Sequence, residues 1–102
     1  MKWSFHPAAL EEYEAAVAYY EERDPAVALK FQAMVEQATR RVVEAPERWR
    51  AVDGDIRRCL THAFPYALLY TAGPDGVLIL CVAHCSREPG YWKERLGAEQ
   101  KV

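Results

Sequence analysis

The sequence has no long apolar run. Its two most apolar segments, Ala67 to Ala72 and Val77 to Ala83, are parted by Gly73, Pro74, Asp75 and Gly76, and both fall far short of the roughly 20 residues a membrane-spanning helix requires. No membrane partner is expected. The opening segment MKWSFHPAALEE lacks the apolar stretch of a secretory signal, so the expected location is cytoplasmic. Cysteine is scarce and odd in number, Cys59, Cys81 and Cys85, which argues against a disulfide framework and for reduced, mostly buried thiols. Excess positive charge is missing as well: 13 Lys and Arg face 15 Asp and Glu, a net charge of −2, whereas broad nucleic-acid binding usually goes with a strongly basic domain. Repeats and low-complexity segments are also lacking.

What remains is the composition of one globular domain, 1–102. Apolar residues make up 51% and charged residues 27% of 102 positions, enough to bury roughly two thirds of the unfolded surface around a core. The charge is unevenly spread. Residues 1–47 carry five basic against nine acidic side chains, and residues 48–102 carry eight against six, so an anionic partner should meet the second half.

The hydrophobic period changes once, near Trp49, from helical to alternating. Trp3 and Phe5 alternate with polar neighbours as a short strand, which Pro7 ends while opening a helix. Leu10, Tyr13, Val17 and Tyr20 form the apolar stripe of that helix, and Glu11, Glu12, Glu14, Glu21 and Glu22 its solvated side. Asp24 followed by Pro25 caps and starts a second helix, striped by Val27, Phe31, Met34, Ala38 and Val42 and stopped by Pro46. Alternation over residues 56–61 and 66–71 predicts two strands, and Gly73-Pro74-Asp75-Gly76 turns the second into a third, Val77 to His84. On that last strand Val77, Ile79, Cys81 and Ala83 should face one way and Leu78, Leu80, Val82 and His84 the other. Both faces being apolar predicts a central strand covered on both sides. A helical hairpin covers one side; the other needs either the amphipathic end around Tyr91, Trp92 and Leu96 or a partner chain. The predicted fold is α+β: an N-terminal strand, a helical hairpin, a three-stranded antiparallel meander and a short C-terminal helix.

Metal-ligand types do occur together, but Cys81 and Cys85 on one strand are roughly 13 Å apart when extended, too far to share an ion at bond lengths of about 2.3 Å. No metal is expected. General acid–base cleavage of a phosphodiester needs a proton acceptor, a proton donor and cations for the developing charge. His84, Arg87 and Tyr91, with Arg57 or Arg58 from the neighbouring strand, supply those types. Each has a plain structural alternative: a strand-ending histidine, a solvated arginine edge, and Tyr91 with Trp92 as a core plug.

The order of strand, helical hairpin and meander, with FPYALLY, then VLILCVAH, then SREPGYW, resembles the RelE/ParE superfamily of toxins from bacterial type II toxin-antitoxin systems, over residues 2 to about 96. Phe64-Pro65-Tyr66 with Tyr70, and His84 with Arg87, Pro89, Tyr91 and Trp92, carry the likeness, in the manner of the ParE-like and plasmid-stabilisation subgroup. The resemblance implies a toxin held inactive by a cognate antitoxin that folds across its surface, and it implies no cofactor. RelE-like members cleave mRNA in the ribosome; ParE-like members poison DNA gyrase. The basic residues expected of the first kind are thin here, with Ala67 inside the strand and one arginine in CSREPG. The leading expectation is therefore a gyrase-type target bound through Arg57, Arg58, Arg87, Tyr91 and Trp92. The alternatives are an mRNA endonuclease using His84, Arg58, Arg87 and Tyr91, and a non-toxic member persisting as a protein-binding module or homodimer. Residues 84–92 are expected to dock a protein, beside a bare sheet flank that another polypeptide wraps.

Overall fold

The structure, a computed structural model, describes residues 2–100. Strand β1 (Trp3–Phe5) leads into helix α1 (Pro7–Arg23) and helix α2 (Pro25–Glu44). A 3₁₀ turn (Pro46–Arg48) precedes β2 (Ala51–Asp53), β3 (Ile56–Leu60), β4 (Tyr66–Gly73), β5 (Gly76–His84) and helix α3 (Lys93–Gln100). One five-stranded sheet results, in the order β1-β5-β4-β3-β2, with β1 parallel to β5 and the rest antiparallel. The α+β class is as expected. The meander has one strand more, because Asp53 and Ile56 pair across a Gly54-Asp55 turn in which Gly54 has φ +56°.

Local chemistry sets the helix ends. His6 Nδ1 accepts from Ala8 N–H at 3.0 Å and Pro7 fills the first helical position, where a missing N–H costs nothing. Asp24 serves two helices at once: its N–H donates to the Tyr20 carbonyl at 2.7 Å, closing α1, and its carboxylate accepts from Ala26 N–H at 3.0 Å, opening α2. The hairpin is tight for that reason.

The helices cover one face of the sheet. Phe31, Val35, Ala38 and Val42 of α2 and Ala9 and Ala16 of α1 pack on Cys59, Leu68, Tyr70, Val77, Ile79 and Val82. Tyr13, Tyr20, Phe31, Phe64 and Tyr66 join this core as an aromatic cluster, with Phe31 and Tyr66 ring centres 4.9 Å apart. The α1 stripe is shifted from its predicted position: Leu10 is exposed while the small Ala9 and Ala16 are buried, which lets the helix approach β5 closely.

A second core lies on the opposite face, where Trp92, with Tyr91 and Leu96 packed against it, covers Ile56, Ala67, Leu69, Leu80, Cys81 and Ala83. The flank expected to be bare is thus closed by the chain's own segment, Trp92 being only 5% exposed. The facing of β5 also departs from simple alternation. The β4–β5 register slips between Leu69, opposite Cys81, and Tyr70, opposite Ile79, so Leu80 is an extra residue. Such a bulge reverses the phase beyond it. Val82 therefore joins Val77 and Ile79 under the helices, while Leu80, Cys81 and Ala83 share the other core.

Where β1 ends, β5 continues without a strand neighbour on that side among the described residues; beyond β1 the backbone link is His6 N–H to the Ile79 carbonyl at 2.8 Å. Two side chains take over. Glu12 of α1 accepts from Val82 N–H at 3.0 Å, and Arg95 of α3 donates to the Leu80 carbonyl at 2.7 Å. Arg95 also grips Glu12 through two N–H···O contacts of 2.9 Å, and the Tyr91 hydroxyl donates to the same carboxylate at 2.7 Å. Glu12, expected on the solvated side, is the staple that holds α1, the β5 edge and α3 together.

Candidate functional site

An open cavity of about 420 Å³ lies on the second face, at the end of the sheet where β5 runs into residues 85–92. Its walls come from three places. Arg58 projects from β3, whose backbone pairs it with Leu69. His84 ends β5 opposite Tyr66, and their rings meet edge to face at 5.2 Å. The third wall is the turn that follows, in which Arg87 N–H donates to the His84 carbonyl at 3.0 Å and Tyr91 and Trp92 close the floor.

Arg58, His84, Arg87 and Tyr91 therefore meet at one cavity, and Arg57 does not join them. Neighbours in a strand point to opposite faces, so Arg57 turns to the helix side, where its guanidinium donates to the Trp49 carbonyl at 2.6 Å and the Glu47 carbonyl at 3.3 Å. Its work is to tie the 3₁₀ turn to the sheet. Trp92 shows the cavity one edge and spends the rest of its surface in the second core.

The remaining groups differ in freedom. His84 Nδ1 accepts from Ser86 N–H at 3.1 Å, with Ser86 Oγ 2.7 Å away, while Nε2 makes no hydrogen bond among the described residues. The Arg87 guanidinium lies 4.0 Å over the Tyr91 ring, and Arg95 lies 5.1 Å from the same ring. The Tyr91 hydroxyl points away, into Glu12. Burial first, and then donation to the Glu12 carboxylate, push its pKa far above the ordinary phenol value because both disfavour the phenolate. At the cavity rim Lys93 and Asp53 pair at 3.3 Å, both well exposed.

Among the described residues no group of three or more His, Cys, Asp or Glu side chains stands close enough to hold a metal ion. Burial raises the Cys81 thiol to about 11, with the Glu12 charge adding to the effect, so it is a protonated core residue at neutral pH. The arrangement offers two guanidiniums and an imidazole to an anionic or hydrogen-bonding partner.

The family model for the ParE toxin of the type II toxin-antitoxin system parDE matches residues 4–89. The chain belongs to the ParE toxin family. Among solved structures it is similar to a chain of the chromosomal ParDE toxin-antitoxin system from P. aeruginosa, with a TM-score of 0.69 at 20% identity, covering 82% of this chain and 95% of that one. At such identity the likeness speaks for the fold. No curated protein sequence matches.

Two residues of this ParE-family chain matter to the site and escaped the sequence reading, Glu12 and Arg95. In the structure Glu12 stands three residues after Ala9 and four before Ala16, both buried, and that spacing puts it on the inner face of α1, a face that the larger apolar residues of the helix do not mark. Arg95 had no local signal, since its partners lie 15 and 83 positions away.

Proposed function

We propose that this protein is the toxin of a type II pair, neutralised by a cognate antitoxin, and that it acts by binding a gyrase-type topoisomerase through Arg58, His84 and Arg87. The observation that carries the binding reading is the engagement of Tyr91. A nuclease built on this cavity would need that phenol as a proton donor or acceptor, and its proton is committed to Glu12 at 2.7 Å. What is left, a pair of guanidiniums beside an imidazole, suits recognition of an acidic surface.

Closure of the second face by Trp92 supports a docking place for the antitoxin on the helices. Leu10, Tyr19 and Leu29 are exposed on the helices, Leu29 to 68%, and a segment folding there would gain the buried apolar area it needs to offset its ordering. Expression of the chain alone should arrest bacterial growth, and co-expression of its antitoxin should relieve the arrest. Purified protein should inhibit supercoiling by gyrase, with Arg58→Ala and Arg87→Ala each abolishing inhibition. Transcripts cut at the ribosomal A-site, with supercoiling untouched, would refute the reading in favour of the endonuclease. Absence of any arrest would refute it in favour of a non-toxic binding module.

A further inference from the structure

A second cavity, of about 730 Å³, opens between the end of α2 and the β2–β3 hairpin. Its cations come from distant parts of the chain. Arg50 and Arg58 are set side by side, because Arg58 N–H donates to the Arg50 carbonyl at 3.0 Å. Arg41 reaches in from α2, donating to the Leu60 carbonyl at 3.2 Å and to His62 Nε2 at 3.1 Å. Among the described residues no Asp or Glu lines this cavity. Among the described residues neither the Arg50 nor the Arg58 side chain makes a hydrogen bond or ion pair. Against the same wall, Arg41 Nε and Trp49 Nε1 are buried without an acceptor among the described residues.

General basicity does not explain such a cluster, since the chain carries a net charge of −2. Three guanidiniums gathered with no carboxylate among the described residues of the lining repel one another, and a bound anion would relieve that repulsion. Guanidinium forks match the paired oxygens of phosphate. The rest of the wall narrows the choice. Trp49 lies under Arg41, 5.3 Å from its guanidinium to the ring centre, and Val52 and Leu60 are 43% and 48% exposed. Apolar surface beside a cationic cluster suits an anion that carries a flat apolar body. The volume lies within the roughly 300–1,000 Å³ of small-molecule sites.

We propose that this cleft binds a nucleoside phosphate, with the phosphate on Arg50 and Arg58 and the base against Val52, Leu60 and Trp49. The cleft shares Arg58 with the cavity assigned to the gyrase-type target, whereas Arg50 lines this cleft and not the other, so the Arg50 variants test this proposal apart from the gyrase reading. Calorimetric titration of the full chain with the four nucleoside monophosphates tests it, alongside an unphosphorylated nucleoside, inorganic phosphate and a single-stranded DNA oligonucleotide. At least one monophosphate should bind at least about tenfold more tightly than its nucleoside or phosphate alone. Arg50→Ala should weaken it by about ten- to a hundredfold, as expected for loss of a charged hydrogen bond. Arg50 is exposed, so the variant should keep the wild-type circular dichroism and melting temperature. Arg50→Glu should abolish binding, and the Trp49 indole resonance should shift on saturation in the wild type only. Equal binding of inorganic phosphate, much tighter binding of the oligonucleotide, affinity unchanged in Arg50→Ala, or no saturation at millimolar monophosphate would each overturn the proposal.

Discussion

Replacing Glu12 with alanine should be the most damaging single change on α1. The substitution strands three donors at once: the Arg95 guanidinium, the Tyr91 hydroxyl and the Val82 N–H. The Glu12 and Arg95 side chains are 17% and 16% exposed, so the pair is close to buried, and breaking such a pair by removing one partner costs about 3–5 kcal/mol. Residual access to water places the loss near the lower end, about 3 kcal/mol. For a domain of this size that corresponds to a fall in melting temperature of roughly 12–20 °C. Urea unfolding followed by circular dichroism measures the loss, and Glu11→Ala, one position away on the exposed side, is the control, expected within about 0.5 kcal/mol of wild type. Arg95→Met combined with Glu12→Ala completes a double-mutant cycle, in which a coupling of about 2 kcal/mol is expected. A loss below about 1 kcal/mol for Glu12→Ala, or strict additivity in the cycle, would refute the staple.

Three further outcomes follow from the same geometry. Burial raises Tyr66 and Tyr70 to about 12, and Tyr91 lies higher still; a raised pKa gives stability that is whole below the unfolded value of about 10 and is lost as pH climbs through the folded one. Stability should therefore fall between about pH 10 and 12, and absorbance at high pH should show part of the six tyrosines ionising only with unfolding; six independent titrations in a folded chain would contradict this. Cys59 and Cys81 are buried and Cys85 is exposed, so a thiol reagent at neutral pH should consume one thiol in the native protein and three in denaturant, and fast native reaction of a second would count against the described cores. Gly76 has φ +123° and a β-carbon there would strike the Lys2 carbonyl, whereas Gly73 has open space; Gly76→Ala should cost about 1–3 kcal/mol in urea unfolding and Gly73→Ala far less, and equal effects would refute the close approach of the Lys2 backbone to Gly76.

Legibility in the sequence tracked the range of the interactions. Asp24-Pro25 and Gly73-Pro74-Asp75-Gly76 act on residues within a turn of themselves, and both hairpins formed where these residues pointed. Asp53-Gly54 is an equally local turn, but the strand before it is only three residues long, too short for alternation to mark it. The bulge at Leu80 had no such mark: it depends on how β4 meets β5, and it moved Cys81, Val82 and Ala83 to faces that alternation assigned the other way. At the candidate site, the meeting of Arg58, His84, Arg87 and Tyr91 follows from strand order and was anticipated. The removal of Arg57 follows from the parity of the strand. The commitment of the Tyr91 proton depends on a glutamate 79 positions earlier, beyond the reach of any local pattern.

The bond between Glu12 and Arg95 also sets an order of events for the newborn chain. Helices and strands can assemble as they leave the ribosome, yet the apolar layer beneath Trp92 stays wet until that residue and Arg95 have both emerged. Until then the chain's greasiest strand is shielded on one side only.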